Sequence, residues 1–230
     1  MSAYQASPRK GHLEEAVRIV VYLSKNPKLT LYFDPDRAKV DEGIFEANST
    51  PEQFRDIYRD AKEEMPPRQP QPLGKSIKIL AFVDASHAIN KVSKRSQTGF
   101  VIFINRSPII WYSKRQNTVE ASTFGSEFIA MRICMEYIVS LRYKLRMFGI
   151  PIDGPADVLC DNNSVVLNTS KLESTLNKKH NALAYHSVRW SVAANIMRVG
   201  KVHTSENIAD AFTKRLSVQK RKTLFDLWTY

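Results

Sequence analysis

Ile77-Lys78-Ile79-Leu80-Ala81-Phe82-Val83-Asp84 decides the architecture of this chain. Its apolar residues fall at odd and even positions alike, so both faces of the segment must be covered. That is the signature of a central strand in a layered sheet. Two further strands follow, Thr98–Asn105 (TGFVIFIN) and Pro108–Ser113 (PIIWYS), with Asn105-Arg106-Ser107 as the hairpin turn between them. Ser122–Phe148 has the length and periodicity of a long helix, stopped by Gly149 and Pro151. Ala156–Asp161 (ADVLCD) reads as a fourth strand, Asn162–Ser170 as a short helix and Lys178–Met197 as a longer one. Arg198–His203 is a candidate fifth strand and Glu206–Leu216 a last helix. The order β-β-β-α-β-α-α-β-α predicts an α/β domain on a mixed five-stranded sheet.

Upstream the pattern changes. Eight of the 11 prolines lie in residues 1–72, and Pro66-Pro67-Arg68-Gln69-Pro70-Gln71-Pro72 closes that segment. Such a run neither continues a helix nor enters a sheet. The expected division is residues 1–65, a linker over 66–76, the sheet domain over 77–216 and a basic tail over 217–230. The first part offers an amphipathic helix, His12–Lys25, with Leu13, Ala16, Val17, Val20, Val21 and Leu23 on its apolar side. Asn26-Pro27 ends it, and Leu29–Phe33 reads as a short strand. One helix and one strand make a poor core, so this part is expected to pack on something else.

Composition narrows the class. The 230 residues are 43% hydrophobic and 25% charged, which is globular rather than disordered. No apolar run approaches the ~18 residues of a membrane span, and Met1–Lys10 has no apolar signal core. Cys134 and Cys160 form neither a metal-binding spacing nor a disulfide framework, which fits an intracellular, reducing setting. The net charge of +11 is uneven. Residues 1–72 hold 11 Lys/Arg against 12 Asp/Glu, whereas residues 73–230 hold 23 against 11. A domain carrying +12 points to a polyanion, usually nucleic acid.

The few acids of the basic part sit at telling places. Asp84 ends the first strand, where an Asp also serves as a turn former. Glu127 lies on the core-facing stripe of the long helix, within about 40° of Met131, Cys134, Ile138 and Leu145 at 100° per residue. A carboxylate there needs a cation, unless it is a partly exposed first-turn acid favoured by the helix dipole. Asp161 ends the fourth strand and doubles as a candidate N-cap. Asp210 opens the last helix, again a favoured place for an acid. Converging on one sheet edge, the four would repel one another without cations, and such all-oxygen sets hold Mg²⁺.

These residues resemble a known family. Val83-Asp84-Ala85-Ser86, Lys94-Arg95-Ser96-Gln97-Thr98-Gly99 and Ile110-Trp111-Tyr112-Ser113-Lys114-Arg115-Gln116 look like the opening of the ribonuclease H domain in Ty1/copia-type retrotransposon polyproteins. Ser122-Thr123-Phe124-Gly125-Ser126-Glu127-Phe128-Ile129-Ala130, Cys160-Asp161-Asn162-Asn163-Ser164-Val165, Lys179-His180, Tyr185-His186 with Arg189, and Val202-His203 through Thr213-Lys214 follow in the family's order. Residues 9–35 resemble the stretch after the polymerase, whose paired aspartates are absent here, so a carboxy-terminal fragment of such a polyprotein is expected. The chain departs from the family at Ser86, Ile89 and Trp190, where an acid, a glycine and an acid are common.

The resemblance implies a ribonuclease H-like fold and a metal-dependent endonuclease that cuts the RNA strand of RNA–DNA hybrids. Asp84, Glu127, Asp161 and Asp210 would be catalytic and hold two Mg²⁺ ions, with Mn²⁺ as a substitute. His203 would assist proton transfer or product release, with a solvated loop histidine as the other reading. Lys94, Arg95, Lys114, Arg115 and Gln116 would hold phosphates, and Asn162 and Asn163 would sense groove edges or the 2′-OH. Asn162 also suits a helix cap, while Trp111 and the Arg142, Lys144, Arg146 run read as core and as a solvated helix face. Implied partners are the hybrid and the reverse transcriptase of the same polyprotein, in a cytoplasmic particle or the nucleus, with no membrane. A catalytically inactive remnant that only binds nucleic acid or a partner is the alternative. An integrase-like strand transferase is disfavoured by Glu127 together with Asp210.

Overall fold

The computed structural model describes residues 7–28, 30–90, 92–176 and 181–225. Its centre is the expected mixed sheet, built from β1 (Ile79–Ser86), β2 (Gln97–Ile104), β3 (Ser107–Arg115), β4 (Ala156–Cys160) and β5 (Met197–Lys201). The order across it is β3-β2-β1-β4-β5. β1 pairs antiparallel with β2 and parallel with β4, so the quoted strand is indeed central. The helices are α1 (Lys10–Lys25), α2 (Pro51–Arg55), α3 (Thr123–Met147), α4 (Asn163–Ser170), α5 (Ala182–Ala193), α6 (Asp210–Thr213) and α7 (Val218–Phe225).

Alternation along β1 feeds two cores. Ile79, Ala81, Val83 and Ala85 point to one face, where Phe100, Met131, Cys134, Ile138, Val188 and Val192 enclose them. Leu80 points to the other, with Val101, Phe103, Leu159, Ile208 and Leu224. Each fully buried aliphatic or aromatic side chain contributes about 1.5–3 kcal/mol, so covering both faces is the main stabilising term.

Residues 37–65 pack closely on the sheet domain. Phe54 is fully buried, with the Arg189 guanidinium 4.7 Å above its ring. Ile44 and Phe45 press on Gly200 of β5, where a Cβ would come within 2.4 Å of Ile44. Glu63 pairs with Arg142 and Arg146 of α3. Arg37 pairs with Asp153, and Glu42 with Arg198. Helix α2 lies outside the sequence reading, although Thr50-Pro51-Glu52-Gln53 carries its signature. Thr50 and Gln53 form a capping box and Pro51 sits at the first turn. Helix α1 is present, but none of its residues is buried.

Four expectations change. Residues 30–33 form no strand, and Leu29 lies outside the described residues. The helix expected over 178–197 spans Ala182–Ala193; residues 178–180 lie outside the described residues, and Asn195, with φ +55°, turns the chain into β5. The last helix shrinks to Asp210–Thr213, because the Asn207 side chain accepts the Ala209 N–H and holds the preceding residues in turns. Within the expected basic tail, Val218–Phe225 form α7, with Leu224 buried, and residues 226–230 lie outside the described residues.

Candidate active site

Parallel pairing brings two of the expected acids to one edge. Phe82 is opposite Leu159, so Asp84 and Asp161 each lie two residues further along neighbouring strands. Asp210 comes from above, on α6, which crosses β2 at Gly99. A Cβ at Gly99 would meet Thr213 Cγ2 at 2.5 Å and Phe212 Cβ at 2.8 Å, so only glycine admits this approach. Asp84, Asp161 and Asp210 thus place one carboxylate oxygen each within 4.8 Å of one another. Asp84 and Asp210 are buried.

The electrostatics match the crowding. Burial first, then the charges of Asp210 and Asp161, raise the pKa of Asp84 against the opposing pull of Thr213 and Lys214. Glu127, at the start of the second turn of α3, is pushed up to about 7. Burial is the main cause; Asp84 and Asp161 add to it, while a hydrogen bond from Asn162 and the charge of Lys214 oppose it. Glu127 therefore shares the field of Asp84 and Asp161, and it is half-buried on α3. Asp210 goes the other way. Burial alone would raise it, but hydrogen bonds and charge from Lys214 and Lys220 hold its carboxyl below the usual range.

Several residues at the site carry no role in the sequence reading. Lys214 Nζ donates to Asp210 Oδ1 at 2.6 Å and lies 3.5 Å from Asp84 Oδ2. Lys220 Nζ donates to Asp210 Oδ2 at 2.5 Å and to the Thr204 carbonyl at 3.2 Å. Thr213 donates its hydroxyl to Asp84. Buried Asn207 donates to the Val83 carbonyl at 3.1 Å and to Asp161 Oδ1 at 3.4 Å, which fixes the Asp161 side chain. Lys214 sits four residues after Asp210, one helical turn on, a spacing that could have signalled it.

The expected substrate residues divide. Arg95, Lys114 and Arg115 line an open groove of about 570 Å³ that continues along Phe212, Lys214 and Arg215 beside the acids. Lys94 is exposed on the adjoining loop. Asn163 is exposed at the first turn of α4, next to Asp161. Gln116 is a correction: its amide is buried and donates to Thr98 Oγ1 and the Ser126 carbonyl, tying β2 to α3. Asn162 is the N-cap of α4, its side-chain oxygen accepting from the Ser164 and Val165 N–H groups. His203 is exposed, with Nδ1 bonded to Ser205 Oγ inside its own loop at 2.7 Å. Two structural readings also change. Trp111 is exposed on edge strand β3 rather than core, and Arg142 is buried by Glu63 and the Gly154 carbonyl rather than solvated. Ala88 takes φ +48° just before Ile89, so the backbone bends into the left-handed region one residue before the place where the family has glycine.

The donor set is all carboxylate oxygen, which suits a hard divalent cation and suits softer metals poorly. The lysines already supply positive charge to part of it. The residues present therefore fit Mg²⁺ or Mn²⁺.

Comparison with known proteins agrees with the resemblance. The chain is 31% identical over 147 residues to the retrovirus-related Pol polyprotein from transposon RE1 of Arabidopsis thaliana, covering 63% of this chain. It is 30% identical over 147 residues to that of transposon RE2 of the same plant. It is 29% identical over 136 residues to that of transposon TNT 1-94 of Nicotiana tabacum. The match spans 10% of the length of these polyproteins. No protein-family model matches. Among solved structures, LC11 ribonuclease H1 from compost, in complex with an RNA/DNA hybrid, aligns with a TM-score of 0.48 at 14% identity, over 59% of this chain and 94% of that one. The N-terminal ribonuclease H domain of a Mycobacterium tuberculosis protein gives 0.46 at 14%, over 66% and 96%. The expected mixed five-stranded sheet flanked by helices is the one observed.

Proposed function

We propose that this chain, which resembles the Pol polyproteins of copia-type transposons, hydrolyses the RNA strand of RNA–DNA hybrids during reverse transcription. The convergence of Asp84, Asp161 and Asp210 within 4.8 Å, with Glu127 in the same field, carries the reading. These four would hold two Mg²⁺ ions. Bound there, magnesium would supply activation of the attacking water and positive charge at the scissile phosphate. The chain's own residues do the rest. Arg95, Lys114 and Arg115 hold phosphates of the duplex along the groove and set its register without reading sequence. Asn207 and Thr213 fix the Asp161 and Asp84 side chains. Exposed Asn163 is placed to sense the 2′-OH or the groove shape of a hybrid, which separates RNA from DNA. His203 is exposed, with Nδ1 engaged by Ser205, and would offer Nε2 for proton transfer.

The reverse transcriptase of the same polyprotein is the proposed protein partner, and a cytoplasmic particle or the nucleus the proposed location. Among the described residues no helix is long and apolar enough to cross a membrane.

A labelled hybrid, incubated with and without Mg²⁺, tests the function. Internal cuts in the RNA strand, absent with EDTA and absent on duplex DNA, are expected. Asn163→Ala should lower hybrid cleavage and leave Mn²⁺ binding unchanged. Hybrid binding without cleavage in Mg²⁺ or Mn²⁺ would establish the inactive remnant instead, a reading favoured by the two ammonium groups already bound to Asp210.

A further inference from the structure

Helix α7 puts a lysine into the acid cluster. Lys220 Nζ is 2.5 Å from Asp210 Oδ2, a carboxylate oxygen of a buried residue. It also takes the Thr204 carbonyl, on the turn that leads to Asp210. This is no wandering surface side chain. Ser217 accepts the Lys220 backbone N–H and starts the helix, and Leu224, one turn later, is buried against Phe45, Leu80, Val101 and Ile208. Arg221, next to Lys220, lies 4.8 Å over the Tyr22 ring of α1. The lysine is delivered by a packed element.

Lys214 takes Asp210 Oδ1, so both oxygens of Asp210 are held by ammonium groups. A divalent ion and the Lys220 ammonium cannot share the lone pairs of Oδ2 at full strength, and placing +2 beside +1 adds repulsion. Binding of one must weaken binding of the other by the same factor. Lys214 has a second acid partner, its Nζ lying 3.5 Å from Asp84 Oδ2. Lys220 has its other anchor on Thr204, outside the acids.

Resting on the metal-site reading above, we propose that α7 is an autoinhibitory latch: Lys220 is a built-in counter-ion that stabilises the metal-free site and is displaced from Asp210 when a divalent cation binds. It makes loading of the site depend on release of α7, and anything that holds or removes α7 would set the metal requirement.

Mn²⁺ binding by the full chain, followed by electron paramagnetic resonance of the free ion, tests this without any cleavage. Lys220→Met should bind Mn²⁺ on the order of tenfold more tightly than the unaltered chain. Its thermal midpoint in EDTA should fall, and the rise in midpoint on adding Mn²⁺ should grow. Lys220→Arg, which keeps the charge, should stay close to the unaltered chain. Leu224→Ala, which loosens the anchor and keeps the lysine, should shift affinity in the same direction as Lys220→Met. Equal or weaker Mn²⁺ binding by a folded Lys220→Met, beside clear binding by the unaltered chain, overturns the latch and leaves the metal site standing. Absence of Mn²⁺ binding in both proteins overturns the metal site and the latch with it.

Discussion

Glu63 faces two arginines, whereas Asp84, Glu127, Asp161 and Asp210 face two lysines. At Glu63 the guanidinium of Arg142 donates through Nε at 2.7 Å and Nη2 at 2.9 Å, and Arg146 adds to both oxygens. The carboxyl is held below its usual range despite burial, because both arginines outweigh the desolvation. Positive charge exceeds negative and every partner is a planar fork, hard to displace. At the four acids negative charge exceeds positive, and the partners are point-charge ammonium groups. Two of the acids are raised in pKa rather than lowered. An over-neutralised carboxylate braces the fold. An under-neutralised cluster is one that an added cation would stabilise.

Neutralising one acid at each place should separate the two roles, with the largest effect on catalysis. Asp161→Asn should reduce hybrid cleavage on the order of a thousandfold or more, while the metal-free thermal midpoint rises because one repelling charge is gone. Cleavage in Mg²⁺ and melting in EDTA check the two halves. Near-full activity in folded Asp161→Asn would remove the cluster from the mechanism. Glu63→Gln should do the reverse. Buried Arg142 and half-buried Arg146 lose their counter-charge, at a cost of about 3 kcal/mol, seen in chemical denaturation. Cleavage by the fraction still folded should persist.

The pH dependence sharpens the same contrast. Glu127 has a folded-state value of about 7 against an ordinary 4.5, so the folded chain holds that proton more tightly than the unfolded one. Its stabilising contribution is full below about 4.5 and lost as the pH rises through about 7. Asp84, also raised, acts in the same direction. Metal-free Glu127→Gln should therefore gain on the unaltered chain between those two values, by about 2 kcal/mol. Glu63, being lowered, contributes at neutral pH and loses its contribution on acidification, so Glu63→Gln should lose least, relative to the unaltered chain, in acid. Melting curves in EDTA from pH 4 to pH 8 measure both.

Most of the sheet was legible because a both-faces-apolar strand has few alternatives, and the strand ends Asp84 and Asp161 then follow from parallel pairing. Glu127 was legible from helical phase. What the sequence hid was long-range and polar. Lys220 meets Asp210 only because α7 folds back, and α7 is held by buried Leu224 and partly buried Phe225 at the end of a largely polar stretch. Gln116 looked like a loop amide for substrate, yet its side chain turns inward to Thr98 and Ser126. Arg142 looked solvated because its partner, Glu63, lies 79 residues earlier, beyond a proline-rich run that suggests separation.

The smallest expected effect concerns the groove, whose charges are neither braces nor cation receivers. Lys114 is exposed and Arg115 partly so, and neither has an ion pair among those the described residues make. Their charge is available to a polyanion in a way that Arg142 and Arg146 are not. Each phosphate they neutralise releases condensed counter-ions, so hybrid affinity should fall steeply with salt. Lys114→Ala and Arg115→Ala should each weaken hybrid binding and reduce the slope of log affinity against log salt by about one. Fluorescence anisotropy over a salt series with a labelled hybrid, metal-free to prevent cleavage, reads this directly. Lys144→Ala, an exposed lysine on α3 away from the groove residues, should leave the slope unchanged. Equal slopes for all three variants would mean that net charge alone, and not the groove beside the acids, holds the duplex.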